Sequence, residues 1–351
     1  NTDQGAQRVE RGKALYAFSE AMAALGVPTT RALAVLATGT QVARGAVVPA
    51  GIVVRAAASH VRVGTFQYAW AQRDFDALER LARWAIDRHY PDLRDADHPV
   101  AALLDAVVAA QARLVAQWMA LGFVHGVLNT DNMLVSGEAI DFGPCAFLDA
   151  YRPKAWFSDL DREGRYAFER QPDMARWGLA RFAESLLPIL DPDPEKALKL
   201  AQDALDRFGG LYEDAYLTAM RHRLGLGKAL SGDPALIVDL LAVLEDESAD
   251  YTATLATLFD GTSAPALQNW LEAWRQRRAL EAAPPPPRNP VLVPRTHLVS
   301  RAVGAAVEDG DFMPLRELLD AAAQPFARRA GFDPLAALPP VEADPTTTCG
   351  T

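Results

Sequence analysis

His125-Gly126 opens a run that reaches Asn132 seven residues after the histidine, and nine residues further on stands Asp141-Phe142-Gly143. An asparagine amide oxygen and an aspartate carboxylate are hard ligands. Magnesium prefers such oxygens, takes only one or two carboxylates from a protein, and completes its shell with water and substrate phosphates. Asn132 and Asp141 on neighbouring loops therefore suit phosphoryl or nucleotidyl transfer, in which a cation bridges phosphate oxygens and neutralises developing charge. Asp131, directly before Asn132, is a spare carboxylate placed to accept a proton. Either segment alone is a common turn or a chance tripeptide. Together, in this order and at this separation, they mark a candidate site.

Short elements must hold such loops. Val124, Met133-Leu134-Val135 and Ala139-Ile140 are apolar runs expected as strands, with Ser136-Gly137-Glu138 as the turn of a hairpin. An apolar helix ending at Gly122 delivers the chain into the loop. Upstream, Gly51-Ile52-Val53-Val54-Arg55 has strand character, and the guanidinium groups of Arg55 and Arg62 suit bidentate phosphate contacts. His60 and His125 are expected to be structural, since no partner spacing suggests a metal site.

The wider pattern mixes a helix at 13–26 with β-rich stretches at 33–37, 40–48 and 51–57. From Asp74 the chain reads as helical, with Phe75, Leu78, Leu81, Ala82 and Ala85, then Leu103, Leu104, Val107, Val108, Leu114 and Val115, recurring at helical spacing. Further helices are expected near 174–190, 195–208, 211–224, 234–247, 265–280, 295–307 and 312–322. Ala282-Ala283-Pro284-Pro285-Pro286-Pro287 reads as a stiff extended connector to a small helical C-terminal segment, and 340–351 as a flexible tail.

At 351 residues with 50% hydrophobic content the chain can bury a large core. A net charge of −10 argues against a nucleic-acid-binding surface. No apolar run approaches the ~20 residues that span a bilayer, so no membrane partner is expected. Two cysteines, Cys145 and Cys349, make no disulfide framework and point to a reducing compartment. The cytoplasm is the expected location, with the mitochondrion as the alternative. Cys145 reads as a small core residue and Cys349 as an exposed tail thiol.

The spacing resembles the protein-kinase loop H-R-D-x-x-x-x-N followed by D-F-G. Val127 occupies the position of the kinase's catalytic Asp, and a valine cannot accept a proton. The resemblance implies an α+β, protein-kinase-like two-lobe fold. A partial N-lobe would cover 1–72, and a large, mostly helical C-lobe with the catalytic and metal-binding loops 73–281. The connector, C-terminal helices and tail would follow over 282–351.

A closer resemblance is to the selenoprotein O family of kinase-like proteins. It rests on H-G-V-L-N-T-D-N-M (125–133), I-D-F-G-P-C-A-F-L-D-A-Y (140–151) and G-R-Y-A-F-E-R-Q-P (164–172). Ser19-Glu20-Ala21-Met22, Gly26 to Leu33, Val54-Arg55, Ser59 to Phe66, Trp177 to Arg181, Asp250-Tyr251-Thr252, Arg288-Asn289-Pro290 and Pro294-Arg295 resemble it too. Family members transfer AMP from ATP to protein Ser, Thr or Tyr hydroxyls. The resemblance implies Asp131 as proton acceptor, Asn132 and Asp141 as ligands of Mg²⁺ or Mn²⁺, and Arg55 and Arg62 as phosphate contacts. ATP and hydroxyl-bearing proteins would be the partners.

Residues 1–15 depart from the family. Its Gly-rich strand-turn-strand and phosphate-steadying Lys lack counterparts, and Leu15 stands where a Glu would pair with that Lys. The expectation is weak ATP binding, with a site open on the face where residues 1–15 lie. Two other functions stay open: an atypical phosphotransferase using Asp131, and a catalytically impaired nucleotide-binding protein.

Overall fold

Residues 31–56 are rich in Ala, Val, Leu and Thr, and they form one long antiparallel hairpin. The computed structural model describes residues 7–44, 46–159, 161–260, 264–329 and 335. Strand β1 (Gln7–Arg8) leads directly into helix α1 (Val9–Ala24), and the hairpin follows as β2 (Arg31–Arg44) and β3 (Ala46–Ala56). The sheet order is β1-β3-β2, with Gln7 opposite Gly51 and Ala32 opposite Arg55. The three expected β-stretches are thus two strands. α1 packs across the sheet, burying Leu15, Phe18 and Met22.

Helix α2 (Val63–Ala71), which the sequence reading did not anticipate, precedes α3 (Phe75–His89). α3 starts where the Asp74 carboxylate accepts the Ala77 N–H at 2.9 Å, an N-cap that fixes its first turn. Helix α4 (Pro99–Leu121) begins with proline at its first position and stops at Gly122, whose φ of +71° reverses the chain into the candidate loop. α4 is long and apolar enough to cross a membrane by length and composition alone, which corrects the expectation that no such stretch exists. Its Leu103, Leu104, Val107, Val108, Leu114, Val115 and Trp118 are buried in the main core, so packing accounts for its apolar character.

The mostly helical remainder comprises α5 (Gln171–Leu190), α6 (Pro194–Leu224), α7 (Asp233–Asp246), α8 (Tyr251–Thr257), α9 (Gln268–Arg278), α10 (Thr296–Gly304) and α11 (Met313–Ala322). α6 runs straight through Gly209-Gly210 where a break between two helices was expected, because one face packs continuously on α4 and α5. The helix α8 was not foreseen. α10 and α11 pack on α1, and Leu298, Val299, Ala302, Leu315 and Leu318 join the main core. The Pro-rich stretch therefore leads back to the body of the protein. Cys145 is buried, as expected, whereas Cys349 and the tail from 340 lie outside the described residues.

Two short strands, β4 (Phe123–Val124) and β5 (Ala146–Phe147), pair antiparallel and bracket the candidate site. The expected hairpin between 133–135 and 139–140 does not form. Leu134 instead bridges Arg62, and Ala139 bridges Thr29. Each loop segment is tied to the hairpin side of the molecule. The ties are Val63 N–H to the Met133 carbonyl (2.9 Å), Val135 N–H to the Val61 carbonyl (3.1 Å) and Thr30 N–H to the Ala139 carbonyl (3.0 Å).

Candidate active site

The loop from His125 to Asn132 is held by buried backbone partners. His125 is fully buried, and its Nε2 donates to the Ile140 carbonyl at 2.8 Å while Nδ1 accepts the Val127 N–H. Burial pushes its imidazole below the ordinary histidine range, so the ring is a neutral strut joining the two loops. Gln171, also buried, accepts the His125 N–H at 2.9 Å and donates to the Phe123 carbonyl at 2.8 Å. Gly126 has φ +82°, and a Cβ there would lie 2.3 Å from the Pro144 carbonyl oxygen. Glycine is required by both conformation and space.

Thr130–Asn132 form a 3₁₀ turn capped by Asn129, whose side chain accepts the Asp131 N–H at 2.9 Å. Val127 contributes only backbone, its carbonyl accepting from Asn132 Nδ2 at 2.8 Å. That bond leaves Asn132 Oδ1 as the amide's remaining acceptor, the atom a hard cation takes. The Asp131 side chain points away from this knot toward the start of α2. A Cβ on Gly64 would come within 2.1 Å of Asp131 Oδ1.

Asp141 sits at φ +62°, a conformation shared by only two other non-glycine residues among those described, Arg73 and Ser248. Such backbone is held by its surroundings and concentrates at functional sites. Its carbonyl accepts the Gly143 N–H at 2.8 Å. Its carboxylate faces Arg11 of α1, with Nη2 at 3.3 Å from Oδ1 and 3.5 Å from Oδ2. Arg55 projects from β3, half-buried, and its Nη1 is buried without a hydrogen-bond partner. Burial holds that guanidinium below its ordinary range; the Asp141 charge opposes the shift, while Arg62 and Arg11 add to it. Arg62 stands at the N-cap of α2, its N–H donating to Thr65 Oγ1 at 3.2 Å.

The structure thus brings Arg55, Arg62, Asp131, Asn132 and Asp141 to one seam between the hairpin, the start of α2 and the two loops. His60 is exposed and outside this arrangement. Among the described residues no group of three or more His, Cys, Asp or Glu could hold a metal. The oxygen pair of Asn132 and Asp141 fits a cation that takes its other ligands from water and phosphates. The unpartnered Arg55 nitrogen fits a phosphate oxygen.

Two residues escaped the sequence reading. Gly64 lies in the Ser59–Phe66 block, two residues after Arg62, but a glycine's role as a floor for a carboxylate needs the fold. Arg11 carried no signal, because residues 1–15 match the family poorly. On the face expected to be open, residues 9–15 are the first turns of α1 and Arg11 lies against one side of Asp141, while residues 1–6 lie outside the described residues.

Other motif residues hold the frame. The Asp161 carboxylate accepts the N–H groups of Glu163, Arg165 and Tyr166 and so shapes the 164–172 segment. Asp250 caps α8 and forms an ion pair with Arg295 at 2.7 Å, joining two distant motifs. Asn289 accepts from Arg223 Nε at 2.8 Å and donates to the Arg223 carbonyl at 2.9 Å.

Comparison with known proteins identifies the family. The family model described as protein adenylyltransferase SelO matches residues 14–280. A protein nucleotidyltransferase YdiU of Bradyrhizobium sp. (strain BTAi1) is 46% identical over 357 residues, covering 96% of this chain and 73% of the relative. The protein of that name from Geobacillus kaustophilus is 44% identical over 351 residues, covering 96% of this chain and 72% of the relative. That from Rhizobium meliloti is 44% identical over 360 residues, with 96% and 73% coverage. The matched range takes in both loops and the positions of Arg55 and Arg62, and the chain belongs to the protein adenylyltransferase SelO family.

Proposed function

We propose that this chain is a protein adenylyltransferase that moves AMP from ATP onto Ser, Thr or Tyr hydroxyls of other proteins. The single observation that carries the reading is that Val127 stands where a kinase has its base, while the Asp131 carboxylate, beside Asn132, lies against Gly64 in the first turn of α2. The acceptor hydroxyl oxygen attacks the α-phosphorus, the bond to the β-phosphate oxygen breaks, and pyrophosphate leaves. Asp131 takes the hydroxyl proton. Arg55 and Arg62 hold the phosphates through charge-assisted hydrogen bonds. Asn132 and Asp141 would hold Mg²⁺ or Mn²⁺, which when bound supplies charge neutralisation at the phosphates. The names of the bacterial relatives support nucleotidyl transfer to protein.

The three-stranded sheet with α1 acts as a partial N-lobe and the helices from α3 onward as the C-lobe, with the nucleotide between them. Bacterial relatives favour the cytoplasm as the working compartment over the mitochondrion. The test is label transfer from ATP to an acceptor protein. Label from the α position, lost in Asp131→Ala, supports the reading. Label from the γ position means phosphotransfer, and label from neither means a nucleotide-binding protein without transfer.

A further inference from the structure

Two guanidinium groups, Arg11 and Arg55, lie within electrostatic reach of one carboxylate, Asp141, and Arg62 lies within reach of Arg55. Arg11 is the one in contact, and it reaches the carboxylate because Gly143 has no side chain: a Cβ there would lie 2.6 Å from Arg11 Nη2. Two residues further along α1, Lys13 is buried, with Nζ donating to the Ala306 carbonyl at 3.0 Å and lying 4.6 Å from the Phe312 ring centroid. The C-terminal helices thereby fix the rotation of the first turns of α1, and β1 anchors them from the other side by pairing with β3. The Arg11 position is built into the fold.

We infer that Arg11 is a charge-exchanging residue of this site: it neutralises Asp141 while metal and nucleotide are absent, and turns onto the nucleotide phosphates when they bind. This rests on the assignment of Asp141 under the proposed function. The reasoning is electrostatic. A divalent cation arriving alone must displace the Arg11 guanidinium from Asp141 and then face both it and Arg55, an arrangement that repels it. A polyphosphate arriving with the cation gives Arg11 a second anion within reach and supplies the charge that Arg55 and Arg62 lack. Metal and nucleotide therefore enter together, and Arg11 provides a phosphate contact from α1.

The test separates two ligands. Mn²⁺ alone is titrated by the loss of its free electron-paramagnetic-resonance signal, and α,β-methylene ATP with Mn²⁺ is titrated by calorimetry. In Arg11→Gln, Mn²⁺ alone should bind roughly tenfold more tightly and the nucleotide analogue roughly tenfold more weakly, each shift being the size of one charge-assisted contact. Arg11→Lys should recover much of the analogue affinity. General damage to α1 would weaken both ligands together. Shifts in the same direction, or none, while Asp141→Asn abolishes Mn²⁺ binding, would overturn the role of Arg11 and leave the metal assignment standing. Mn²⁺ binding unchanged in Asp141→Asn would overturn the metal assignment, and the inference with it.

Discussion

Gly64→Ala is a one-carbon probe of Asp131, the proposed proton acceptor. The added Cβ would stand 2.1 Å from Asp131 Oδ1, with the Thr130 carbonyl oxygen at an ordinary 3.6 Å. Real Cβ contacts almost never fall below 3.0 Å, so the oxygen must retreat by about 1 Å or more. Asp131 is exposed and its carboxylate is the mobile end of a side chain, so the fold yields there at little cost. Gly64 lies inside the first turn of α2, where replacing glycine by alanine favours the helix by up to roughly 0.5–1 kcal/mol. Stability should therefore hold or rise slightly. Activity should not. A misplacement of ~1 Å costs on the order of 10²-fold, against ~10²–10⁴-fold for full loss of a general base. The expected result is a roughly 10²-fold slower AMP transfer from α-labelled ATP, with an unchanged melting temperature. In an Asp131→Ala background the same substitution should cost nothing further, since the displaced group is gone. A wild-type rate in Gly64→Ala, or an equal loss in both backgrounds, would refute the placement of Asp131 as proton acceptor.

Other consequences follow from the same geometry. Asp141→Ala should remove metal-dependent ATP binding while leaving the melting temperature near wild type, because the side chain neutralises charge and fills no core; unchanged affinity by calorimetry with Mg²⁺ present would exclude it as a ligand. Arg295→Met should destabilise the fold by about 3–5 kcal/mol in urea unfolding, since Arg295 is buried and its loss strands the carboxylates of Asp149 and Asp250. Burial holds the Asp250 carboxyl above its usual range, so acidification neutralises it first in the folded state and the Arg295→Met penalty should shrink as pH falls. Burial, then the Asp141 charge, pushes the Cys145 thiol well up. In a Cys349→Ser background, therefore, the native protein should consume no Ellman's reagent at pH 8 and about one equivalent once unfolded.

The parts of this architecture that sequence reading recovered are those with a local cause. α3 begins at Asp74 because a carboxylate caps it, and the helix before the loop ends at Gly122 because a left-handed residue is needed there. The parts it missed depend on distant partners. Residues 133–135 and 139–140 have the composition of a hairpin. They part because Val61–Val63 and Pro28–Thr30 offer their backbones from elsewhere in the chain. Gly209-Gly210 looks like a break, yet the face that α4 and α5 cover carries α6 through it. Local propensity was outweighed by tertiary packing in both cases.

The site divides along a similar line. Asn132, Asp141 and Asp131 could be singled out as candidates because metal ligation and proton transfer restrict residue type and spacing, whatever fold surrounds them. What spacing does not encode is which groups approach those oxygens from outside the loops. Gly64 matters through a missing atom, and Arg11 through a helix whose rotation is fixed by Lys13 and the C-terminal helices some 290 residues away in sequence. The group that pairs with Asp141 comes from α1, outside both loops. Residue types and spacing in the loops do not predict this contact; the fold, which sets α1 against Gly143, places Arg11 on the Asp141 carboxylate.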